Sequence, residues 1–166
     1  QGFVALLSAV NYTDFFEWIE TCDLSKNPAV LLLDGIEDPH NMGAILRTAA
    51  AADISAVIIP SQNQVPVNAT VFKTSAGTAG KIPIIRVHDT NQGIKDLKLA
   101  GFELMALSAS AKQTFWETEF TKPIAFIIGN EGRGVSKTAL QKADVLLSLP
   151  MANNVESLNA SVTAAL

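Results

Sequence analysis

The chain has 166 residues, about one domain's worth, with a formal net charge of −4. It is 48% hydrophobic and 17% charged, which excludes intrinsic disorder and leaves enough apolar material for a sizeable core. The acidic balance excludes a domain that grips nucleic acid over its whole surface but allows a local basic patch, and the single cysteine, Cys22, excludes an internal disulfide.

The first 27 residues mix aromatics and acids and read as a linker containing a short helix, with the domain proper over residues 28–166. From there short apolar runs alternate with segments of helical character. Ala29 to Leu33 reads as a strand, Asn41 to Ala52 as a helix, Ala56 to Ile59 as a strand and Asn68 to Ala76 as a helix. Ile82 to Val87 follows as a strand, Asn91 to Ala100 as a helix, and Phe102 to Leu107 and Ile124 to Ile128 as strands. Lys137 to Lys142 reads as a helix, Val145 to Leu149 as a strand, and a last helix runs from Glu156 onward. Continuous Val/Ile/Leu runs mark strands buried on both faces. Their alternation with helices predicts an α/β domain: a mainly parallel sheet with helices on both faces. The runs are far shorter than the roughly 20 residues of a spanning helix, and no signal peptide is evident. A cytoplasmic, non-membrane location is expected. The chain begins at Gln1 and stops at Leu166 without a helix stop signal, so a piece of a longer protein is expected.

Open parallel sheets bind ligands at the carboxyl ends of their strands. The polar and glycine-rich stretches "DGIEDPHNMG", "SASAKQTF", "GNEGRGVS" and "PMANNVESLN" all follow strands, so one sheet edge is expected to carry a site. Familiar nucleotide motifs do not fit it. Gly129, Gly132 and Gly134 give G-x-x-G-x-G, not the dinucleotide spacing, and Gly80-Lys81 is followed by Ile82 where a P-loop needs a hydroxyl. His40 and His88 are far apart and no ligand set is spaced for a metal. A G-x-S-x-G nucleophile motif is absent. An enzyme for a different nucleotide is disfavoured accordingly.

Three stretches taken together, "NMGAILRTAAA" (Asn41 to Ala51), "FIIGNEGRGVS" (Phe126 to Ser136) and "LPMANNVESLNASVTAAL" (Leu149 to Leu166), resemble the three motifs of the SpoU, or TrmH-like, RNA ribose 2′-O-methyltransferases of the SPOUT superfamily. The match has the family's order and spacing over residues 29–166, and "KTSAGTAG" (Lys73 to Gly80) is similar to a further family segment. "QG" at Gln1-Gly2 is similar to the stretch that follows an extra RNA-binding domain in two-domain members, the 23S rRNA guanosine 2′-O-methyltransferases. The resemblance implies S-adenosylmethionine as methyl donor, a homodimer, a C-terminal trefoil knot, and an RNA substrate, ribosomal RNA ahead of transfer RNA; no metal is expected, for want of a ligand set. A non-catalytic RNA-binding factor on the same fold is the rival, disfavoured because the motif residues are intact. The family usually has glycine where Asn153 stands, and asparagine is a tolerant substitute in a left-handed turn.

The resemblance also implies residue roles. Arg47 is the acceptor-side cation. A guanidinium is almost never deprotonated, so electrostatic stabilisation of a developing alkoxide suits it better than a role as base. Asn41 has two open readings, helix cap or organiser of the site. His40 reads as a loop residue rather than a base. Glu131, a carboxylate among glycines after a buried strand, needs donors around it. Asn154 and Glu156 are explained as helix cap and first-turn acid. Ser157 and Asn159 come too late in a helix starting there to act as caps, and are assigned to the methyl-transfer centre. The implied donor site comprises Leu107, Ser108, Ala109, Gly129, Asn130, Gly132, Leu149, Pro150, Met151, Ser157 and Leu158. Arg47, Lys73, Arg133 and Lys137 are the candidate cations for RNA. Val155, Leu158, Val162 and Leu166 form an apolar face suited to a second subunit.

Overall fold

The computed structural model describes residues 10–153, 155 and 157–166. Strand β1 (Ala29–Asp34) shows why its residues form a central strand. Val30 and Leu32 pack to one side, Leu31 and Leu33 to the other, and all four are buried. An uninterrupted apolar run is stable there only because helices cover both faces. β2 (Ala56–Pro60), β3 (Ile84–Val87), β4 (Glu103–Leu107), β6 (Ile124–Gly129) and β7 (Val145–Ser148) repeat the theme, and a two-residue strand β5 (Gln113–Thr114) joins at one edge. Among the described residues the sheet has seven strands in the order β3-β2-β1-β6-β4-β7-β5, and every pairing is parallel.

Helices α2 (Pro39–Ala51), α3 (Ala69–Thr74) and α6 (Ala160–Thr163) cover one face, where Met42, Ile45, Leu46, Val71 and Ala160 share a core with Leu31, Leu33 and Val57. Helices α1 (Phe15–Thr21), α4 (Thr90–Leu99) and α5 (Lys137–Lys142) cover the other, where Phe15, Trp18, Ile94, Leu97 and Ala139 pack on Val30, Leu32 and Ile58. At the end of β1, Asp34 accepts the Thr90 hydroxyl at 2.7 Å and the Ser136 N–H at 2.8 Å, tying the starts of α4 and α5 to the sheet. Residues 10–27 pack on the domain as well: the Thr13 N–H donates to the Ile84 carbonyl at 2.9 Å, and Thr13 pairs in parallel with Ile85 outside β3.

Several boundaries differ from the sequence reading for local reasons. α2 begins two residues early because Asp38 caps it, accepting the His40 N–H at 2.9 Å, and Pro39 supplies a preset first position. His40 is therefore an exposed helical residue rather than a loop residue, and Asn41 is not a cap. β3 begins at Ile84, just after Pro83. The last helix begins at Ala160, capped by Asn159, whose Oδ1 accepts the Ser161 N–H at 2.8 Å. Asn159 is thus a cap after all, and Ser157 and Leu158 precede the helix. Asn153 has φ 56°, the left-handed turn expected of it. The roles assigned to Asn154 and Glu156, and the Gln1-Gly2 stretch, lie outside the described residues.

α2 approaches α3 so closely at Gly43 that a Cβ there would stand 2.7 Å from the Thr74 Cβ and 2.9 Å from the Ser75 nitrogen, and nearer still to the Thr74 hydroxyl. Gly43→Ala should therefore lose up to about 2 kcal/mol in urea unfolding, as an overpacking cost of about 1–3 kcal/mol outweighs the roughly 1 kcal/mol gained from helix propensity. A stability equal to or above that of the unaltered chain would refute the close crossing.

Candidate active site

β1 and β6 end side by side, with Asp34 opposite Gly129 in register. Gly129 is required by close approach: an added Cβ would lie 2.1 Å from the Val135 nitrogen and 2.2 Å from the Gly134 carbonyl carbon. The loop beyond it folds back on itself. Asn130 and Gly134 exchange backbone hydrogen bonds of 3.0 and 2.9 Å, with Gly134 at φ 67°. The Asn130 Oδ1 accepts the Gly132 and Arg133 N–H groups at 3.0 Å each, and its Nδ2 donates to the Gly35 carbonyl at 2.7 Å. At Gly132 an added Cβ would meet only the Asn130 Oδ1, at an ordinary 3.7 Å, so glycine is not required there by close approach.

This loop holds Glu131 against the segment between β1 and α2. Its carboxylate accepts the Glu37 N–H at 3.4 Å, the Asp38 N–H at 3.3 Å and the Asn41 Nδ2 at 3.1 Å. The Asn41 Oδ1 in turn accepts the Asn159 Nδ2 at 3.0 Å. Asn41, Glu131 and Asn159 come from three distant parts of the chain and form one hydrogen-bonded chain. Glu131 has the donors its position called for, although it is exposed. Of the two readings of Asn41, the structure places its side chain in this network.

Beside the network a cleft opens at the carboxyl ends of β4, β6 and β7. Leu107, Ser108 and Ala109 line it from β4, and Gly129, Asn130, Glu131 and Gly132 from β6. Leu149, Met151, Ser157 and Leu158 line it from the segment after β7. Pro150 is exposed and does not line it. Ile127, Val135, Ala160 and Thr163 also line the cleft, and sequence reasoning missed them. It missed Gln64 too, whose Oε1 accepts the Gly35 and Ile36 N–H groups at 3.1 and 2.8 Å and so fixes the β1–α2 segment. No local pattern marks these residues, because their roles arise from crossings between remote segments.

Arg47 is not brought into the network. It lies exposed on α2, with no hydrogen bond or ion pair to the described residues. Lys73 in α3 and Lys137 at the start of α5 are likewise exposed, whereas Arg133 is paired with Glu37 at 2.7 Å. Among the described residues no group of three or more His, Cys, Asp or Glu could hold a metal ion, and no helix is long and apolar enough to cross a membrane.

A family model described as the SpoU rRNA Methylase family matches residues 28–166. A TrmH-family tRNA/rRNA methyltransferase of Staphylococcus haemolyticus is 38% identical over the full chain, which spans 67% of that relative. The crystal structure of an AdoMet-bound rRNA methyltransferase from Sinorhizobium meliloti aligns with a TM-score of 0.82 at 25% identity, over 93% of this chain and 58% of that one. An RNA 2′-O ribose methyltransferase aligns with a TM-score of 0.77 at 28% identity, over 87% of this chain and 55% of that one. This chain thus spans little more than half of those two structures' chains.

Glu131→Ala should speed hydrogen exchange at the Glu37 and Asp38 amides, which lose their acceptor, while changing global stability by less than about 1 kcal/mol because the carboxylate is exposed. Exchange rates unchanged at both amides would rule out the contact.

Proposed function

The chain belongs to the SpoU rRNA methylase family of RNA methyltransferases, and from that premise we propose that it moves the methyl group of S-adenosylmethionine to a ribose 2′-hydroxyl of RNA. The observation that carries this reading is that Glu131 belongs at once to the cleft and to the Asn41–Asn159 network, so a donor site and a polar centre share a wall. The cleft residues fit the donor: Leu107, Leu149, Met151 and Leu158 offer apolar walls, and the strand ends offer backbone groups, a combination that suits an adenine. When bound, S-adenosylmethionine supplies a methyl on a positively charged sulfur.

The chain's own residues then have three tasks. Ser157 and Asn159, one lining the cleft and one capping α6, orient the acceptor ribose. Glu131, through Asn41, holds Asn159 in place. Arg47, its fork free of described partners, stabilises negative charge as the 2′-oxygen attacks the methyl carbon, the carbon–sulfur bond breaks and the hydroxyl proton leaves to solvent water, and it anchors a neighbouring phosphate. We assign ribosomal RNA ahead of transfer RNA, in keeping with the description of the matching family, and place the reaction in the cytoplasm.

The run from β7 to α6 returns from near the sheet's edge to pack on α2. We infer that this run forms the family's trefoil knot. Met151, Val155, Leu158, Val162 and Leu166, each between 38% and 48% exposed, support a homodimer that covers them. The two-domain resemblance adds an RNA-binding domain preceding this chain, with residues 1–27 as the link to it. Sedimentation at micromolar concentration should give a dimer, and a monomer would remove this part of the proposal.

Calorimetry should detect binding of S-adenosylmethionine that is unchanged by a chelator. Arg47→Ala should abolish most transfer to RNA while leaving donor affinity within about fivefold, and Arg47→Lys should not restore it, because lysine lacks the planar fork. Near-normal transfer by either variant would return Arg47 to a plain surface role.

A further inference from the structure

Two loops meet over the site: residues 35–38, before α2, and residues 130–134, after β6. Carboxylates join them in opposite directions. Glu131 of the second loop reaches the amides of Glu37 and Asp38. Glu37 of the first reaches Arg133 of the second, with Oε1 2.7 Å from Nη2.

The two contacts differ in kind. The partners of Glu131 are backbone amides and an Asn41 side chain itself held by Asn159. The Glu37–Arg133 pair joins side chains that are 59% and 72% exposed. Such pairs are weak, because water solvates both ions and both side chains lose freedom. The pair is not needed to join the loops, which the Asn130–Gly35 hydrogen bond already ties at 2.7 Å. What it does is hold a planar guanidinium at the rim of the cleft, one residue beyond Gly132, which lines it. A carboxylate and a phosphodiester present the same pair of oxygens to that fork.

We propose that Arg133 anchors a backbone phosphate of the RNA, and that Glu37 holds the guanidinium in place until the phosphate displaces it. The proposal rests on the methyl-transfer reading for its choice of RNA as the source of the phosphate. One singly charged anion replaces another, so Arg133 stays paired throughout and Glu37 is released to water. The exchange lets a chain of net charge −4 present a cation at the mouth of its site, correctly aimed, without leaving it unpaired in the absence of substrate.

The test is binding of poly(U) across a series of low potassium chloride concentrations, using the unaltered chain, Glu37→Gln, Arg133→Ala and the double variant. Glu20→Gln, on α1, serves as a control that removes the same charge elsewhere. Glu37→Gln should tighten binding about two- to fivefold, the equivalent of one exposed ion pair. Arg133→Ala should weaken binding and reduce the slope of log affinity against log salt by about 0.7, one phosphate contact on a single strand. In the Arg133→Ala background, Glu37→Gln should do no more than Glu20→Gln does. An equal gain from Glu37→Gln in both backgrounds, or an unchanged salt slope in Arg133→Ala, overturns the exchange. S-adenosylhomocysteine affinity should be the same in all variants. A chain that binds RNA in the expected pattern but does not bind S-adenosylhomocysteine would count against methyl transfer, not against the exchange.

Discussion

One carboxylate, that of Glu131, holds three remote segments in a common geometry. It receives the amides just ahead of α2 and the side chain of Asn41 inside its first turn. The start of a helix carries unpaired N–H groups and a partial positive charge, so an anion there is favoured twice, by hydrogen bonding and by the dipole. α2 has 13 residues, enough for that field to matter, and Asp38 adds a second carboxylate as its cap. The position of the β6 loop is thus dictated by where α2 begins. Because Asn41 also receives Asn159, the start of α6 is placed by the same centre.

The sheet makes this possible by bringing β1 and β6 together as central neighbours although about 90 residues separate them. Both are covered on each face, so neither end can shift without disturbing two cores. α2 is pinned from behind by its glycine crossing with α3, and Asp34 holds α4 and α5 from the opposite side. The strand ends form a rigid rim, and the loops above it are free to specialise.

Most of the strands and the order of helices were legible in the sequence, because fully buried parallel strands have no polar alternation to confuse them. α5 lies where its pattern placed it. The errors that bear on the site fall at helix starts. Asp38, not Asn41, caps α2, and Asn159 caps a helix that begins later than its composition suggests. Several polar residues in a row each qualify as a cap, and tertiary contacts choose among them. Asn41 is drawn off by Glu131, which leaves the cap to Asp38. β5 escaped notice because two residues carry no period. Gln64 escaped because its partners, Gly35 and Ile36, lie 29 and 28 residues away. The polar residues that meet in the network could be named from their motifs, but their mutual hydrogen bonds could not.

The pairing of Thr13 beside β3 has a consequence for how these molecules behave when crowded together. An open sheet leaves a row of unpaired backbone groups at each border, and such a row can recruit a strand from another molecule. Here the β3 border is already partly occupied by Thr13, whose N–H is given to Ile84. The opposite border is β5, only 2 residues long, and the chain turns into a short 3₁₀ helix at Phe115 immediately after it. Neither border offers a long flat template, so a sheet rich in Val, Ile and Leu carries little tendency to grow from molecule to molecule into aggregates.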